Sequence, residues 1–583
     1  MSDNAERAPG VRLRIAVLGD THLEPASEGT APRSNRRCRA AIGWINALKP
    51  DLVVHLGDVV HPLPSLPDQA SAFDAAAALF AGLQAPMLVT PGNHDIGDKP
   101  NPAMPAAASR QDWAEAWASR IGPLWESRSL AGCRVVLACA SLFGSGTEDE
   151  AAQWRWLEET LRAARSAGER VFLFTHYPPF IRAPDEPGHY DNLDPAPRAR
   201  LLALATHFGV EAILSGHAHA FFLNGLGRMR LHVVPSVAFA RRDYAELARV
   251  APGPGEEFGR NETGRLGFAL LDVLEEGHAL HPVMTGGSED AVPAAHALPG
   301  LRTHPRLGGA APLGLPLHHP WAEVVALPTN PPTAPFRRRL ARDDRTIQLL
   351  WRLGATRLRI PREDLEDAAV RARLVLLAAE GFRVWLATAG VPDDALIALV
   401  AETPLDGWEI TLGETEVAAA AAMLQGVPGM PAECVLAPMR STGATPGAAA
   451  SALFVGSGLA AEETPDLAGG AGVFTGWMAR IGRAEAVAPS VARLALRGAS
   501  LGLRPHATVC LMPERPDESW CDDVAIAARV AEARAAALAH PGVALWLDTF
   551  LDVDRGYHVR NGLADRRMNP RAAGWAFAGG EIG

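Results

Sequence analysis

The chain has 583 residues, of which 48% are hydrophobic and 21% charged, and its formal net charge at pH 7 is −11. This length exceeds one ordinary hydrophobic core and predicts two to four domains. The acidic balance is spread along the chain without a basic run, which disfavours a nucleic-acid partner, and no apolar stretch reaches the roughly 18–20 residues that span a bilayer.

Six scattered cysteines without a C-x-x-C spacing are typical of reduced thiols. The polar N-terminus, predicted to be disordered over residues 1–10, contains neither a signal peptide nor a lipidation motif. A cytoplasmic location is therefore expected. Nothing in the composition excludes a homo-oligomer.

Short apolar runs alternate with helical patterns from residue 11 to about residue 285. In chain order the runs are RIAVLGD, DLVVHLGD, PMLVTPGNHD, RVVLACA, VFLFTHYPP and EAILSGHAHA, and helices are predicted near 38–48, near 70–82 and over QWRWLEETLRAARSAG. This alternation predicts an α/β sheet. The later runs MRLHVVPSVAFA and RLGFALLDVLEEGHALHPV lack helices between them, so they are expected to complete a second sheet as antiparallel strands. Residues 11–285 are thus predicted to form a two-sheet α/β domain.

A segment rich in Pro and Gly, residues 286–320, is interpreted as a linker to a second domain, residues 321–583. Its predicted strands are WAEVVAL, TRLRIP, FRVWLATAG, GWEITLGE, AECVLAPM, the weaker VFTGW, HATVCLMPE and VALWLDTF. This series predicts a (β/α)₈ (TIM) barrel. An open doubly wound sheet is the alternative, although no G-x-G-x-x-G loop follows any strand. Within one helix, DLEDAAVRARLVLLAAEG, Asp364 is expected to cap the start and Gly381 the end.

Five apolar runs of the first domain end in Asp, Asn or His. The residues concerned are Asp20, His22, Asp58, Asn93, His176, His217 and His219. A single residue of this kind would be typical of an ordinary turn. Parallel strands, however, present their carboxyl ends to a single crevice, so the polar residues at five successive strand ends should share a small volume. Buried polar groups need partners, and divalent metals supply them.

Mixed nitrogen and oxygen ligands suit Zn, Mn, Fe or Co better than Ca or Mg. Seven candidate ligands exceed the requirement of one ion. Two metal ions that share one carboxylate are therefore expected.

The order D-x-H, G-D, G-N-H-D, H and G-H-x-H resembles the signature of the calcineurin-like metallophosphoesterase superfamily. The short loops and the GHAH form are most similar to class III cyclic-nucleotide phosphodiesterases and glycerophosphodiesterases. The resemblance covers residues 11–285 and implies an αββα fold with two metals, Mn or Fe being favoured. It implies one metal held by Asp20, His22 and His219, a second held by Asn93, His176 and His217, and a bridging Asp58.

His94 is similar to the family's non-ligand catalytic His beside the leaving group. The neighbouring Asp95 is expected either to orient His94 or to cap the loop. Two metals about 3.5–4 Å apart would lower the pKa of a bridging water, so that hydroxide attacks the phosphate ester in line.

The resulting prediction is a phosphodiesterase that acts on a small-molecule phosphodiester. The alternatives are a phosphomonoesterase on the same metal centre and a non-catalytic binding or scaffold protein. The complete ligand set argues against the last of these.

Several further polar residues have less specific signals. His55 and His61 are interpreted as structural or supporting residues rather than ligands. The long polar loop after His176 contains His189 and Tyr190, which would contact substrate or belong to a solvated loop. The pair Arg241 and Arg242 would bind a phosphate or an anionic substrate, or would form a surface salt bridge.

In a barrel, functional residues are expected at the carboxyl ends of the strands. The acidic candidates are Glu409, Glu414, Glu514, Asp548, Asp552 and Asp554. The segment DTFLDVDRGYHVRNGLADRRMNP loosely resembles the closing part of glycosidase-like barrels, which use paired carboxylates. The barrel is nevertheless expected to be accessory or to bind part of the substrate.

Overall fold

The structure is a computed structural model that describes residues 7–26, 29–251, 253, 259–260, 262–291, 304–307, 311–317, 319, 321–336, 338–441, 455–466, 470, 472–511, 522–552 and 562–580. The chain divides into two compact units. The first unit consists of Met1–Leu301 and Glu323–Gln348, and the second of Arg302–Ala322 and Leu349–Gly583.

The first unit contains thirteen of the described strands. They are β1 (Leu13–Leu18), β2 (Leu52–His55), β3 (Met87–Val89), β4 (Glu126–Leu130), β5 (Cys133–Ala138), β6 (Arg170–Thr175), β7 (Ala212–Ser215), β8 (Phe222–Leu226), β9 (Met229–Val233), β10 (Gly267–Val273), β11 (His278–Met284), β13 (Val324–Ala326) and β14 (Leu340–Arg342). Its helices are α1 (Arg33–Leu48), α2 (Gln69–Phe80), α3 (Asn93–Ile96), α4 (Gln111–Arg120), α5 (Glu148–Ser166), α6 (Pro195–Phe208) and α7 (Arg242–Ala245), and α8 (Arg345–Leu353) runs from this unit into the second.

Two sheets organise this unit, which confirms the predicted two-sheet domain. One sheet has the strand order β11-β10-β1-β2-β3 and the other has the order β4-β5-β6-β7-β9-β8. The expectation that both late strand pairs complete the second sheet is wrong in part. The β8–β9 pair does so, whereas β10 and β11 extend the first sheet by antiparallel pairing of β10 with β1.

Helices cover the outer faces of both sheets. In α1 the buried residues include Ala41, Trp44, Ile45 and Leu48, a spacing that places them on one face of a helix. This face packs against Leu18 and its neighbours in the first sheet. On the second sheet, Trp154 of α5 and Leu201 of α6 pack against Leu173 of β6. The resulting helix–sheet–sheet–helix order is the predicted αββα layering.

The second unit contains the remaining described elements. The strands are β12 (Leu313–Pro316), β15 (Arg357–Pro361), β16 (Arg383–Ala389), β17 (Gly407–Leu412), β18 (Glu433–Ser441), β19 (Val455–Ser457), β20 (Gly476–Ile481), β21 (Arg504–Val509) and β22 (Ala544–Leu547). The helices are α9 (Arg362–Glu366), α10 (Ala368–Ala379), α11 (Asp394–Glu402), α12 (Val417–Leu424), α13 (Val487–Leu501), α14 (Asp523–Ala539) and α15 (Ala572–Ala578).

Eight parallel strands of this unit close into a barrel, as predicted. The order is β12-β15-β16-β17-β18-β20-β21-β22, and the pairing of β22 with β12 closes the ring. Trp385, Met478 and Trp546 are among the buried side chains that fill its interior. The alternative of an open sheet is therefore wrong.

The predicted first strand of the barrel is wrong. In the structure the first strand of the barrel is β12. It lies in the segment that was interpreted as a linker because it contains Gly and Pro. A Cβ atom at Gly314 would overlap the ring of Trp546, so the glycine provides the space that this ring needs in the neighbouring strand.

Within the run WAEVVAL, residues Val324–Ala326 instead form the first strand of a hairpin in the first unit. Its β13 pairs antiparallel with β14. Val325 and Ala341 of this hairpin pack in a cluster with Ile181, Phe222 and Tyr244. The predicted linker 286–320 and barrel start at residue 321 thus differ from the division into units, because apolar side chains draw Glu323–Gln348 into the first unit.

Three smaller expectations have different outcomes. Asp367, not Asp364, caps α10, since its carboxylate accepts hydrogen bonds from the backbone N–H groups of Ala369 and Val370. Of the N-terminus predicted to be disordered, residues 1–6 lie outside the described residues, and Arg7 pairs with Asp51 at 2.6 Å. Within the described residues, no helix is long and apolar enough to cross a membrane.

Candidate metal centre

The polar residues predicted as ligands follow strands whose carboxyl ends meet. β1, β2 and β3 are parallel neighbours in one sheet, and β6 and β7 are parallel neighbours in the other. The structure brings all seven predicted ligands, Asp20, His22, Asp58, Asn93, His176, His217 and His219, into one buried cluster.

One half of the cluster contains Asp20, His22, Asp58 and His219, whose potential ligand atoms all lie within 4.8 Å of one another. The Nε2 atoms of His22 and His219 are 3.0 Å apart. A carboxylate oxygen of Asp58 lies 3.6 Å from His22 Nε2, and one of Asp20 lies 3.5 Å from His219 Nε2.

The other half contains Asp58, His176 and His217, again within 4.8 Å of one another. The side-chain oxygen of Asn93 lies 3.0 Å from both His176 Nε2 and His217 Nδ1. Since Asp58 belongs to both halves, its carboxylate is placed to bridge two ions.

Backbone carbonyls orient the imidazole rings. The Nδ1 atom of His176 lies 3.0 Å from the carbonyl oxygen of Leu56, and that of His219 lies 2.8 Å from the carbonyl oxygen of Phe239. A carbonyl can only accept, so each Nδ1 carries a proton and the neutral ring turns its Nε2 lone pair towards the cluster. Such outer hydrogen bonds fix the tautomer of metal-binding histidines.

The backbone at the cluster is strained. Nine non-glycine residues in the described part of the chain have a positive φ, and five of them are Asp20, His22, Asp58, His217 and His219. Left-handed backbone is uncommon outside glycine, and such residues concentrate at functional sites.

Two glycines make the close packing of the cluster feasible. A Cβ atom at Gly92 would overlap the Asp58 backbone nitrogen and carboxylate and would lie 2.8 Å from His176 Cε1. A Cβ atom at Gly216 would lie 2.6 Å from an Asp20 carboxylate oxygen.

The charge state of the cluster fits divalent cations. Burial lowers the pKa of His22 and of His217 well below the ordinary value, so both rings are neutral lone-pair donors. Burial raises the pKa of Asp58 to about 7, which shows how unfavourable this carboxylate is without a cation. Neutral imidazoles, two carboxylates and one amide oxygen form a mixed donor set that suits Mn, Fe, Co or Zn.

His94 lies against the first half of the cluster. Its ring contacts that of His22 at a centroid distance of 4.6 Å, and its Nδ1 lies 2.5 Å from the carbonyl oxygen of His61. This hydrogen bond fixes the ring and leaves Nε2 available, as a residue beside a leaving group requires. Burial lowers the pKa of His94.

The contacts of Asp95 favour the second of its two predicted roles, which is to cap the loop. Its carboxylate accepts hydrogen bonds from the backbone N–H groups of Gly92, Val59 and Val60, at 2.8, 3.2 and 3.1 Å. It thereby ties the loop after β3 to the loop after β2, and the ring of His94 is oriented by His61 instead.

The geometry of His55 agrees with a structural role. Its Nδ1 accepts a hydrogen bond from the Gly57 backbone, its Nε2 lies 3.0 Å from the hydroxyl of Thr21, and burial lowers its pKa to about 3. His61 lies beside the predicted ligand His22, with the two Nδ1 atoms 3.4 Å apart. It forms a third group of potential ligands with His22 and His94.

Of the two residues predicted to contact substrate from the loop after His176, only Tyr190 is shown in contact with a predicted ligand. His189 is buried, with Nε2 at 3.3 Å from Glu186 and Nδ1 accepting from the Asp191 backbone, so loop structure accounts for it. Tyr190 packs its ring on His217 at 4.9 Å.

Arg241 is part of a buried ion-pair cluster that sequence reasoning missed. Its guanidinium pairs with Asp191 and with Asp243, and Arg339 pairs with the same two carboxylates. Burial alone would raise the pKa of Asp191, but the two guanidinium groups hold it well below the ordinary value. Arg242 is exposed. Because Arg339 lies 148 residues after Asp191 in the chain, no local signal marked this cluster.

A cavity of about 350 Å³ adjoins the buried cluster of the seven predicted ligand side chains, hereafter the metal cluster. Tyr190, which packs on His217, and Phe239, which packs on His22 and His219, are both in its lining. The rest of the lining is Pro105, Ala240, Arg241, Arg242, Asp243, Arg260, Asn330, Pro332 and Thr333.

The carboxylates predicted for the barrel have structural partners. Glu409 pairs with Arg359 at 3.0 Å, Asp548 accepts from the Leu511 backbone, and Asp552 pairs with Arg571. Glu414 is exposed, and Glu514 and Asp554 lie outside the described residues.

Comparison with known proteins is consistent with the cluster. Residues 13–221 match the family model described as calcineurin-like phosphoesterase. The serine/threonine-protein phosphatase CPPED1 of Danio rerio is 30% identical over 187 residues, which are 31% of this chain and 58% of the relative. The protein of the same name from Homo sapiens is 28% identical over 194 residues, which are 32% of this chain and 59% of the relative.

The chain thus spans less than two thirds of the length of these curated relatives. Among solved structures, a dimetal phosphatase from Danio rerio is 15% identical, with a TM-score of 0.32, and the match covers 47% of this chain and 96% of that one. The family assignment rests on the sequence match. The N-terminal part of this chain, residues 13–221, is therefore similar in sequence to the calcineurin-like phosphoesterase family.

Proposed function

We propose that the protein is a metal-dependent hydrolase of phosphoric esters that uses two divalent cations. The observation that carries this proposal is the convergence of seven side chains from five strand ends, with Asp58 common to both halves of the cluster. Asp20, His22 and His219 would hold one cation, Asn93, His176 and His217 the other, and Asp58 would bridge them. Manganese or iron remains the predicted metal.

The residues of the chain have separable tasks in this proposal. When bound, two cations lower the pKa of water and neutralise charge on a phosphate. The carbonyls of Leu56 and Phe239 keep His176 and His219 in the tautomer that donates a lone pair. The carbonyl of His61 holds His94 so that Nε2, once protonated, would donate its proton to the leaving oxygen, a contribution of typically 10²- to 10⁴-fold.

Two ester classes compete as substrates. The sequence motifs predict a small phosphodiester, whereas the relatives are named as serine/threonine-protein phosphatases, which favours a phosphomonoester as the second candidate. A small-molecule substrate, a cytoplasmic location and an accessory role for the barrel also remain predictions.

The test compares bis(p-nitrophenyl) phosphate with p-nitrophenyl phosphate as substrates of the full chain, loaded in turn with Mn²⁺, Fe²⁺, Zn²⁺ or Co²⁺. Asp58→Asn is the matched variant, because it keeps the shape of the bridging side chain and removes its charge. We expect turnover of at least one ester and loss of turnover and metal in the variant. Two tightly bound metals with no turnover of either ester would contradict the proposal.

A further inference from the structure

The cavity beside the metal cluster contains the guanidinium group of Arg260, which the described structure leaves without an ionic partner. Three arginines line the cavity: Arg241, Arg242 and Arg260. The charge of Arg241 is balanced by Asp191 and Asp243. In contrast, no acidic side chain among the described residues lies within ion-pair distance of Arg260.

Arg260 is held close to the metal cluster by one aromatic ring. Its guanidinium carbon lies 4.3 Å from the centroid of the Phe239 ring. The same ring contacts His22 at 4.8 Å and His219 at 4.6 Å. The half-buried guanidinium of Arg260 and two predicted ligands of the first metal therefore lie around a single side chain.

A positive group at this place is unfavourable unless an anion accompanies it. The cluster is built to hold two divalent cations, and like charges at short range through a partly buried region repel one another. Arginine presents a planar fork of N–H donors that matches a carboxylate or a phosphate, which makes it suited to bind a second anionic group of the substrate.

The size of the cavity suits a small ligand. Its volume of about 350 Å³ lies in the range of small-molecule sites. Asn330, Pro332 and Thr333 line it on the side of the hairpin segment, and the Asn330 side chain is held there by its hydrogen bond from the Thr333 backbone at 3.1 Å. A small ester with two anionic groups therefore fits both the volume and the charge.

We propose that Arg260 binds a second anionic group, a carboxylate or a phosphate, of a small phosphate ester whose reacting phosphate lies at the metal cluster. This proposal rests on the proposed hydrolase function. Arg260 would act as a specificity-determining residue, and esters with two anionic groups would be preferred over esters with one.

The test uses two pairs of esters that differ mainly in the second anionic group. Phosphoglycerate is compared with glycerol phosphate for a carboxylate, and fructose bisphosphate is compared with fructose monophosphate for a second phosphate. Arg260→Gln removes the charge and the stacking on Phe239. Arg200→Gln is the matched control, because Arg200 stacks on Trp154 at the same 4.3 Å but does not line the cavity.

We expect the ratio of kcat/KM within at least one pair to favour the doubly anionic ester and to fall by about tenfold or more in Arg260→Gln, the effect of losing a charge-assisted hydrogen bond. Arg200→Gln should keep the wild-type ratio. The pair that responds identifies whether a carboxylate or a phosphate is bound. Equal ratios in wild type and Arg260→Gln for both pairs would overturn the proposal.

A binding measurement separates this proposal from the hydrolase function. Calorimetry with chelator-treated protein should show tighter binding of phosphoglycerate or fructose bisphosphate than of its singly anionic counterpart, and the difference should be lost only in Arg260→Gln. If that difference is present but the metal-loaded protein hydrolyses no ester, the hydrolase proposal fails and Arg260 still binds the anion. If turnover occurs without any dependence on Arg260, the inference about Arg260 fails alone.

Discussion

Gly92→Ala is the smallest change that should disable the metal centre. Gly92 has φ −102° and ψ −172°, an extended conformation that alanine adopts without strain, so the added Cβ atom is the whole perturbation. That atom would overlap the backbone nitrogen and carboxylate of Asp58 and would lie 2.8 Å from Cε1 of His176. Carbon atoms in favourable contact are about 3.5–4.0 Å apart, so Asp58, His176 or both must move.

The magnitude follows from the cost of overpacking. Extra methyl groups in packed sites cost about 1–3 kcal/mol. If this cost falls on metal binding, affinity decreases by roughly 5- to 140-fold, since each 1.4 kcal/mol is tenfold. Both ions should be affected, because Asp58 is shared between the two halves of the cluster.

The assay is metal content after chelator treatment and titration with Mn²⁺, combined with thermal unfolding followed by circular dichroism. Gly122→Ala is the matched control in the same unit, because its Cβ atom would meet only Val89 Cγ1, at an ordinary 3.9 Å. Two metals bound by Gly92→Ala with the affinity of Gly122→Ala and wild type would refute the reasoning.

Three further predictions follow from the contacts of single residues. His94→Ala should keep both metals and lose about 10²-fold or more in kcat, measured by elemental analysis and steady-state kinetics, and loss of metal would contradict its assignment as a non-ligand. Asp95→Asn weakens the acceptor of three backbone N–H groups and should lower the free energy of unfolding by about 1.5–3 kcal/mol in urea titrations; an unchanged value would show that the loop is held otherwise. Arg14→Met removes the guanidinium that pairs with the buried Asp272 and leaves this carboxylate with the His281 ring at 3.2 Å as a side-chain partner, so the free energy of unfolding should fall by about 3–5 kcal/mol at pH 7. Burial would raise the pKa of Asp272, but Arg14 and His281 lower it to about 2. The stability that this carboxylate contributes is therefore present above pH 3.8 and lost as the pH falls towards 2. An equal acid dependence of the free energy of unfolding in Asp272→Asn would contradict this.

The positions of the seven predicted ligands were accessible from the sequence because they depend on local rules. Each follows a short apolar run, and parallel strands bring their carboxyl ends together whatever the details of the loops. The turn glycine Gly92 and the neighbouring residues Asn93 and His94 could be read in the same way. The left-handed backbone at five of these positions had no sequence signal, since non-glycine residues adopt it infrequently and the surrounding tertiary structure holds it in place.

The errors arose where long-range packing overrode composition. β12 contains Gly and Pro and was interpreted as a linker, but Gly314 is required by the ring of Trp546 in another strand. The run Val324–Ala326 has the composition of a barrel strand, yet its apolar side chains pack with Ile181 and Phe222 of the first unit.

The sequence by itself determined the chemistry available to the protein, because residue identity and spacing after a strand specify which donor atoms reach the crevice. Only the tertiary structure decided how the arginines are used. Arg241 and Arg260 are alike in the sequence, but the fold brings Asp191 and Asp243 to Arg241 and places Arg260 on Phe239 beside the metal cluster. The physical reason is that the binding capacity of a charge depends on its surroundings, and those surroundings come from residues far apart along the chain.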